Sequence, residues 1–112
     1  MAYSSNNIRN AFTPFGNGDL VLVGYLLAET QFLGSAEQQR TLLGMVTTNA
    51  ARALGIEDAY GIEVGKRADL VVLDTQRLSD VVRDQPVRTA VIKAGRVVVE
   101  SHLDTRYPSG LP

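Results

Sequence analysis

The spacing of apolar residues changes character near residue 60, from a helical recurrence to short β-branched runs. Residues 19–33 read Asp-Leu-Val-Leu-Val-Gly-Tyr-Leu-Leu-Ala-Glu-Thr-Gln-Phe-Leu, a first helix with Asp19 placed to cap its first turn and Gly34 to end it. Its apolar side chains fall on nearly every face. Such a helix exposes large hydrophobic groups unless it is sandwiched between layers, so it calls either for a neighbour or for a central or dimer-interface position. A second helix is expected over 36–46, because Ser35 and Gln38 stand three apart as in a capping box. Leu42, Val46, Ala50 and Leu54 then recur every four residues, but Thr47 and Thr48 interrupt with β-branched, hydroxyl-bearing side chains. The spacing therefore predicts a separate short helix over 49–54, stopped by Gly55.

Beyond Tyr60 the pattern is extended. Residues 69–73, 87–93 and 96–100 read as strands, the last two joined by a turn at Ala94-Gly95. Between them, residues 78–83 are expected to form one or two helical turns that end before Pro86. At the start of the chain, residues 2–4 suit a short strand, and the Ser, Asn, Gly and Pro content of 1–19 otherwise predicts loop. The tail, 103–112, carries Pro108, Gly110 and Pro112 and has little to bury; it is expected to be mobile. The organisation that follows is a helical segment, 1–60, a sheet segment, 61–102, and the tail. No internal repeat is present.

Composition narrows the functional classes. The 112 residues suffice for one modest core, and 45% hydrophobic with 21% charged residues is the make-up of an ordinary globular domain. Eleven basic against 12 acidic residues leave a net charge of −1, which argues against nonspecific binding to nucleic acid or to an anionic membrane. The absence of cysteine excludes disulfides and thiolate metal sites and fits a cytoplasmic location. Residues 1–10 lack the order of a signal peptide, and the longest apolar stretch is broken by Gly24, Glu29, Thr30 and Gln31, so neither export nor a membrane span is expected.

The most informative block is Gly61-Ile62-Glu63-Val64-Gly65-Lys66-Arg67-Ala68-Asp69-Leu70-Val71-Val72-Leu73-Asp74. Gly61 and Gly65 suit turns with positive φ, Val64 is placed to pin the loop to a core, and residues 70–73 are apolar enough for burial on both sheet faces. Lys66 with Asp69, and Arg67 with Asp74, are candidate surface ion pairs. Nothing in the spacing matches a phosphate loop. By their residues alone these fourteen positions describe a turn-and-strand unit.

This block, followed by the hairpin turn Lys93-Ala94-Gly95-Arg96, resembles the closing strands of the accessory β-sheet in metal-dependent amidohydrolases. Upstream, Asn6-Asn7-Ile8-Arg9-Asn10-Ala11-Phe12-Thr13-Pro14-Phe15-Gly16-Asn17-Gly18-Asp19 resembles the loop after the eighth barrel strand in the cytosine deaminase and triazine aminohydrolase branch. Thr47-Thr48-Asn49-Ala50-Ala51-Arg52-Ala53-Leu54-Gly55 is similar to the helix that connects barrel to sheet. The resemblance implies an α/β fold in which the chain is the C-terminal part of such an enzyme: the end of a (β/α)8 barrel, its helices, and accessory strands. It further implies a parent reaction in which a divalent metal, zinc or iron, assists hydrolysis of a C–N bond in a cyclic amidine or N-heterocycle.

The same resemblance supplies candidate site residues. At the eighth-strand position the family usually carries an aspartate that ligates the metal and shuttles a proton. Here that position is Asn6, whose amide oxygen is too weakly basic for the shuttle, although it can hydrogen-bond a substrate. Asn7 and Arg9 follow on the loop above the barrel mouth, where they position either substrate or the loop itself. The plainer reading of the asparagines is a turn in which side chains bond nearby backbone. The one histidine, His102, lies in the tail outside every matched motif and reads as solvated; no metal ligand is assigned to this chain, and no cofactor is expected to bind it alone.

Three functions of different class are compatible with these residues. The chain is a fragment or separately encoded C-terminal half of an enzyme that needs an N-terminal barrel chain to complete its site and is inactive by itself, or a self-associating interaction module without catalysis, or a binder of small heterocycles that has lost turnover.

Overall fold

The computed structural model describes residues 1–11 and 15–110; Pro14, one of the residues that place Asn6 by resemblance, and Pro112 of the tail lie outside the described residues. Three helices come first, α1 (Leu20–Gln31), α2 (Ala36–Val46) and α3 (Thr48–Ala53). They are followed by strand β1 (Leu70–Leu73), a short helix α4 (Ser79–Asp84), and a hairpin of β2 (Arg88–Lys93) and β3 (Arg96–Glu100).

Local chemistry accounts for most element boundaries. Asp19 caps α1 by accepting from the backbone N–H groups of Val21 and Leu22. The Ser35 hydroxyl accepts from Gln38 N at 3.2 Å while the Gln38 carboxamide accepts from Ser35 N at 3.0 Å, so both arms of the capping box form. The stop of α1 differs from expectation. Phe32, at φ 56°, takes the left-handed position, two residues before Gly34, and directs its N–H to Ala28 O. Helix α3 begins one residue earlier than expected, and Gly55 at φ 70° follows its last turn. Residues 2–4 do not form a strand: they run extended over the helices, held by Tyr3 Oη donating to Leu20 O at 3.1 Å and Asn49 Nδ2 donating to Met1 O at 2.9 Å.

The three strands make one antiparallel sheet in the order β1-β2-β3. The turn between β2 and β3 has positive φ at both Ala94 (49°) and Gly95 (77°), the two-residue geometry whose twist matches flanking strands. Both ladders shift register once, between Val72 and Leu73 on β1 and between Val91 and Ile92 on β2.

Helix α2 is the centre of the packing, with α1, α3 and α4 all lying against it, and α4 also touching α1. Leu42 from α2, Ala51 from α3, and Val81 and Val82 from α4 form the buried apolar core of the described residues. Gln39 is buried beside them; its amide nitrogen donates to Leu33 O, and its Oε1 has no partner among the described residues.

Several apolar positions are not covered. Only Gly24 of α1 is buried, and Leu26 is 54% exposed, so the all-round apolar helix is not sandwiched by this chain. In β1, Val71 and Val72 are about half exposed on opposite faces, which corrects the expectation of burial on both faces. Val64 is fully exposed and pins nothing. The surface pairs are also redistributed: Lys66 meets Glu63, whereas Asp69 meets both Arg67 and Lys93. No helix among the described residues is long and apolar enough to cross a membrane.

Candidate functional site

The loop that carries Asn6, Asn7 and Arg9 is closed on itself and fastened at its base. Asn7 N donates to Ser5 O at 2.7 Å, which leaves Asn6 at φ 60°, a left-handed conformation that asparagine tolerates better than most residues. Arg9, at φ 47°, is held there from both sides: its backbone N–H donates to Phe15 O at 3.0 Å and its Nε to Gly16 O at 2.9 Å. Ile8 lies under the returning strand of the loop, its Cδ1 within 3.5 Å of where a Cβ on Gly18 stands. Asn17 Oδ1 accepts from Asp19 N at 2.9 Å and leads the chain into α1.

Asp19 connects this loop to the sheet. Its Oδ1 accepts from Val21 N at 2.9 Å and from Arg88 Nη2 at 2.7 Å, so one carboxylate oxygen caps α1 and holds β2. Tyr3 completes the base. Its hydroxyl pKa is raised, first by burial and then by the nearby Asp19 charge, which keeps it a neutral donor to Leu20 O.

The three candidate residues separate in role. The carboxamide of Asn6 is exposed and makes no side-chain hydrogen bond among the described residues, so it is free to meet a ligand. Asn7 is half-buried, and its Oδ1 accepts from Asn10 Nδ2 at 2.7 Å, a contact inside the turn. Arg9 spends its Nε on loop closure. Asn7 and Arg9 thus shape the loop that presents Asn6.

A metal set does not assemble from these residues. Among the described residues no three of His, Asp or Glu come together, His102 is exposed in the tail, and Asn6 offers only a neutral amide. An open cleft of about 380 Å³ lies instead between the end of α1 and α4, beside Phe32, Gln39 and Arg83. No side chain there is poised as a nucleophile.

The glycine-rich segment proves to be a clasp. Lys66 Nζ donates to Glu57 O at 3.1 Å, Tyr60 O at 2.9 Å and Glu63 Oε1 at 3.3 Å, using all three of its hydrogens. Asp69 accepts from Ala94 N at 2.8 Å and from Lys93 Nζ at 2.7 Å, and Gly95 N donates to Ala68 O at 3.0 Å. These bonds hold the hairpin turn against the start of β1. They also hold the Asp69 carboxyl below its ordinary pKa, chiefly through the Lys93 hydrogen bond and then that of Ala94. These partners could not be read from local spacing, because Lys93 and Ala94 lie 24 and 25 residues from Asp69.

Comparison with known proteins agrees with this construction. A model of the amidohydrolase family matches residues 33–99, more than half of the chain. The N-isopropylammelide isopropyl amidohydrolase of Pseudomonas sp. (strain ADP) is 42% identical over 100 residues, which are 89% of this chain and 25% of that protein. Among solved structures, 5-methylcytosine deaminase from Klebsiella pneumoniae, liganded with phosphonocytosine, superposes with a TM-score of 0.82 at 30% identity, over 90% of this chain and 25% of that one. N-isopropylammelide isopropylaminohydrolase from Burkholderia multivorans ATCC 17616 superposes with a TM-score of 0.76 at 34% identity, over 83% of this chain and 24% of that one. The chain therefore spans about a quarter of the length of the relatives it matches. With the family match running from just after α1 into β3, and nine-tenths of this chain matched to a 42% identical relative, the chain belongs to the amidohydrolase family, in the cytosine deaminase and triazine aminohydrolase branch.

Proposed function

We propose that this chain is the C-terminal segment of a hydrolase acting on a C–N bond of a cyclic amidine or N-heterocycle, and that it functions by completing a barrel whose remainder is N-terminal sequence, in the same polypeptide or in a separate one. In this reading residues 1–19 supply the end of the eighth barrel strand and the loop above the barrel mouth, α1 to α3 belong to the barrel's outer layer, and β1 to β3 join an accessory sheet. The observation that carries it is the match to about a quarter of each relative over nine-tenths of this chain, together with the apolar surface that this quarter leaves uncovered.

The family generally uses a divalent metal. In this reading its ligands belong to the N-terminal chain, because the described residues here do not make up a set. What this chain contributes is the Asn6 carboxamide, held at the lip of the loop by the Asn7 and Arg9 turns. That group can donate to and accept from the edge of a heterocycle, and it cannot carry a proton from water to a leaving nitrogen. Hydrolysis by the completed assembly is accordingly slow unless another base takes the proton. Alone, the chain encloses no pocket suited to the reaction and is inactive.

Complementation tests this directly. The Pseudomonas relative, cut so that its last quarter is missing, is co-expressed with this chain. We expect the two to purify together, to hydrolyse N-isopropylammelide weakly, and to gain on the order of 100-fold in kcat when Asn6→Asp restores a carboxylate. Failure to co-purify refutes the completing role. Co-purification with no response of kcat to Asn6→Asp refutes the assignment of Asn6. A stand-alone interaction module has a separate observation in its favour, the exposed edge of β3.

A further inference from the structure

We propose that Asn17 is a self-deamidation site: the backbone nitrogen of Gly18 displaces its side-chain amide, which leaves an aspartyl or isoaspartyl residue in the loop that carries Asn6. The proposal rests on two adjacent residues and does not depend on the hydrolytic reading.

The chain has five asparagines, and Asn17 alone precedes glycine. With no Cβ on Gly18, nothing of that residue shields its nitrogen from the Asn17 carboxamide. Both residues are exposed, and the Gly18 N–H makes no hydrogen bond among the described residues, so it is open to base from solvent. Asn17 Oδ1 accepts from Asp19 N at 2.9 Å. The ring closed by that bond contains both reacting atoms, Cγ of Asn17 and N of Gly18, and folds the side chain back over the Gly18 peptide. The same Asp19 N–H steadies the oxygen that turns negative as nitrogen adds to Cγ.

Water is the only other reactant. Base removes the Gly18 N–H proton, the nitrogen electron pair forms a bond to Asn17 Cγ, and the Cγ–Nδ2 bond breaks as the amide nitrogen takes a proton and leaves as ammonia. The cyclic succinimide then adds water at either carbonyl. Opening at Cγ gives aspartate. Opening at the main-chain carbonyl gives isoaspartate, whose backbone runs through the former side-chain carbons.

The fold shields the other asparagines. Asn7 N, the nitrogen that would attack Asn6, already donates to Ser5 O at 2.7 Å, so the Asn6 amide is spared. Asn7 is followed by β-branched Ile8, and its carboxamide is tied to that of Asn10. Asn49 lies in α3 with its Nδ2 donating to Met1 O, and helical torsions keep its carboxamide from the next nitrogen. Conversion at Asn17 has a structural consequence. An isoaspartate there lengthens the main chain two residues before Asp19, whose Oδ1 caps α1 and holds Arg88.

Peptide mapping by mass spectrometry tests this on the intact chain incubated at mildly alkaline pH, both folded and in urea, with far-UV circular dichroism as the check on folding. In the folded chain, the mass gained when an amide becomes a carboxyl should appear at Asn17 and rise with hydroxide concentration. It should vanish in Asn17→Gln, whose longer side chain closes the ring far more slowly. Conversion at Asn6 should appear only in urea, where the bond to Ser5 O is lost. Separated by ion exchange, the isoaspartyl form should melt a few degrees below the unmodified chain, as expected for a weakened helix cap. No conversion at Asn17 in the folded chain, or conversion there no faster than at Asn6, overturns the proposal. An isoaspartyl form with an unchanged Tm overturns its effect on the Asp19 cap.

Discussion

At the residue scale, two carboxylates do work that neighbouring charges in sequence do not reveal. Asp19 joins α1 and β2 through one oxygen, and Asp69 joins Arg67 to the hairpin turn through Lys93 and the Ala94 amide. Ala94 is the reason the second is needed: a non-glycine residue at φ 49° is uncomfortable, and its N–H is received by the Asp69 carboxylate. Because the folded-state pKa of Asp69 is lowered, its contribution is present above the unfolded carboxylate value of about 4 and is lost as pH falls through the lower folded value. Asp69→Ala is therefore expected to lower Tm by a few degrees at neutral pH. Thermal melts of both proteins should show that gap hold steady down to about pH 4 and narrow in stronger acid. A gap that is the same at every pH contradicts an ionised Asp69.

At the scale of elements, the contact between the N-terminal segment and α1 depends on the missing side chain of Gly24. A Cβ built there meets the Tyr3 hydroxyl oxygen, with Tyr3 Cζ at 3.0 Å and Val82 Cγ1 at 3.5 Å. Alanine favours a helix over glycine by about 1 kcal/mol, but the overlap with Tyr3 forces the ring away and breaks its bond to Leu20 O. The steric term is larger, so Gly24→Ala should destabilise by about 1–2 kcal/mol in urea denaturation. In a Tyr3→Phe background the hydroxyl is gone, and the same substitution should cost about 1 kcal/mol less. Equal costs in the two backgrounds show that the segment does not dock as described. The same docking carries the polypeptide into the Asn6 loop, so loosening it also loosens the site.

At the scale of the molecule, the chain has too much surface for its mass. Its accessible area is 8698 Å², where a compact monomer of 12.1 kDa is expected to show roughly 6,000 Å². Its radius of gyration is 16.3 Å, against about 13 Å for a compact domain of this length. The excess, roughly 2,700 Å², comes from the extended tail, the loops and the uncovered apolar positions of α1 and the sheet. If the proposed completion occurs, binding stabilises the chain by mass action. Adding the truncated Pseudomonas relative at about 100 times its dissociation constant should then raise Tm by about 10 °C or more. Scanning fluorimetry on the mixture checks this, and an unchanged Tm argues against completion of a larger fold.

What the sequence determined by itself is what short-range chemistry controls. The capping box of Ser35 and Gln38 set the start of α2, Asp19 set that of α1, and Ala94-Gly95 set the hairpin, because in each case donor, acceptor or φ preference lies within a few residues. The family was legible for a related reason: its motifs are local strings around turns and strand starts. Burial was not. Residues 70–73, Val64 and most of α1 carry the apolar character of interior elements, and the tertiary structure leaves them partly or wholly exposed, because burial depends on which elements pack across a face and not on the residues of that face alone. The partners of Lys66, Asp69 and Asp19 were likewise decided by the fold, which brings Lys93 and Ala94 to Asp69 and Arg88 to Asp19 across 24 to 69 residues. Asn6 joins the two levels. Its identity makes it a hydrogen-bonding amide and not a proton carrier, and only the folded loop, with Asn7 and Arg9 engaged in its closure, leaves that amide exposed.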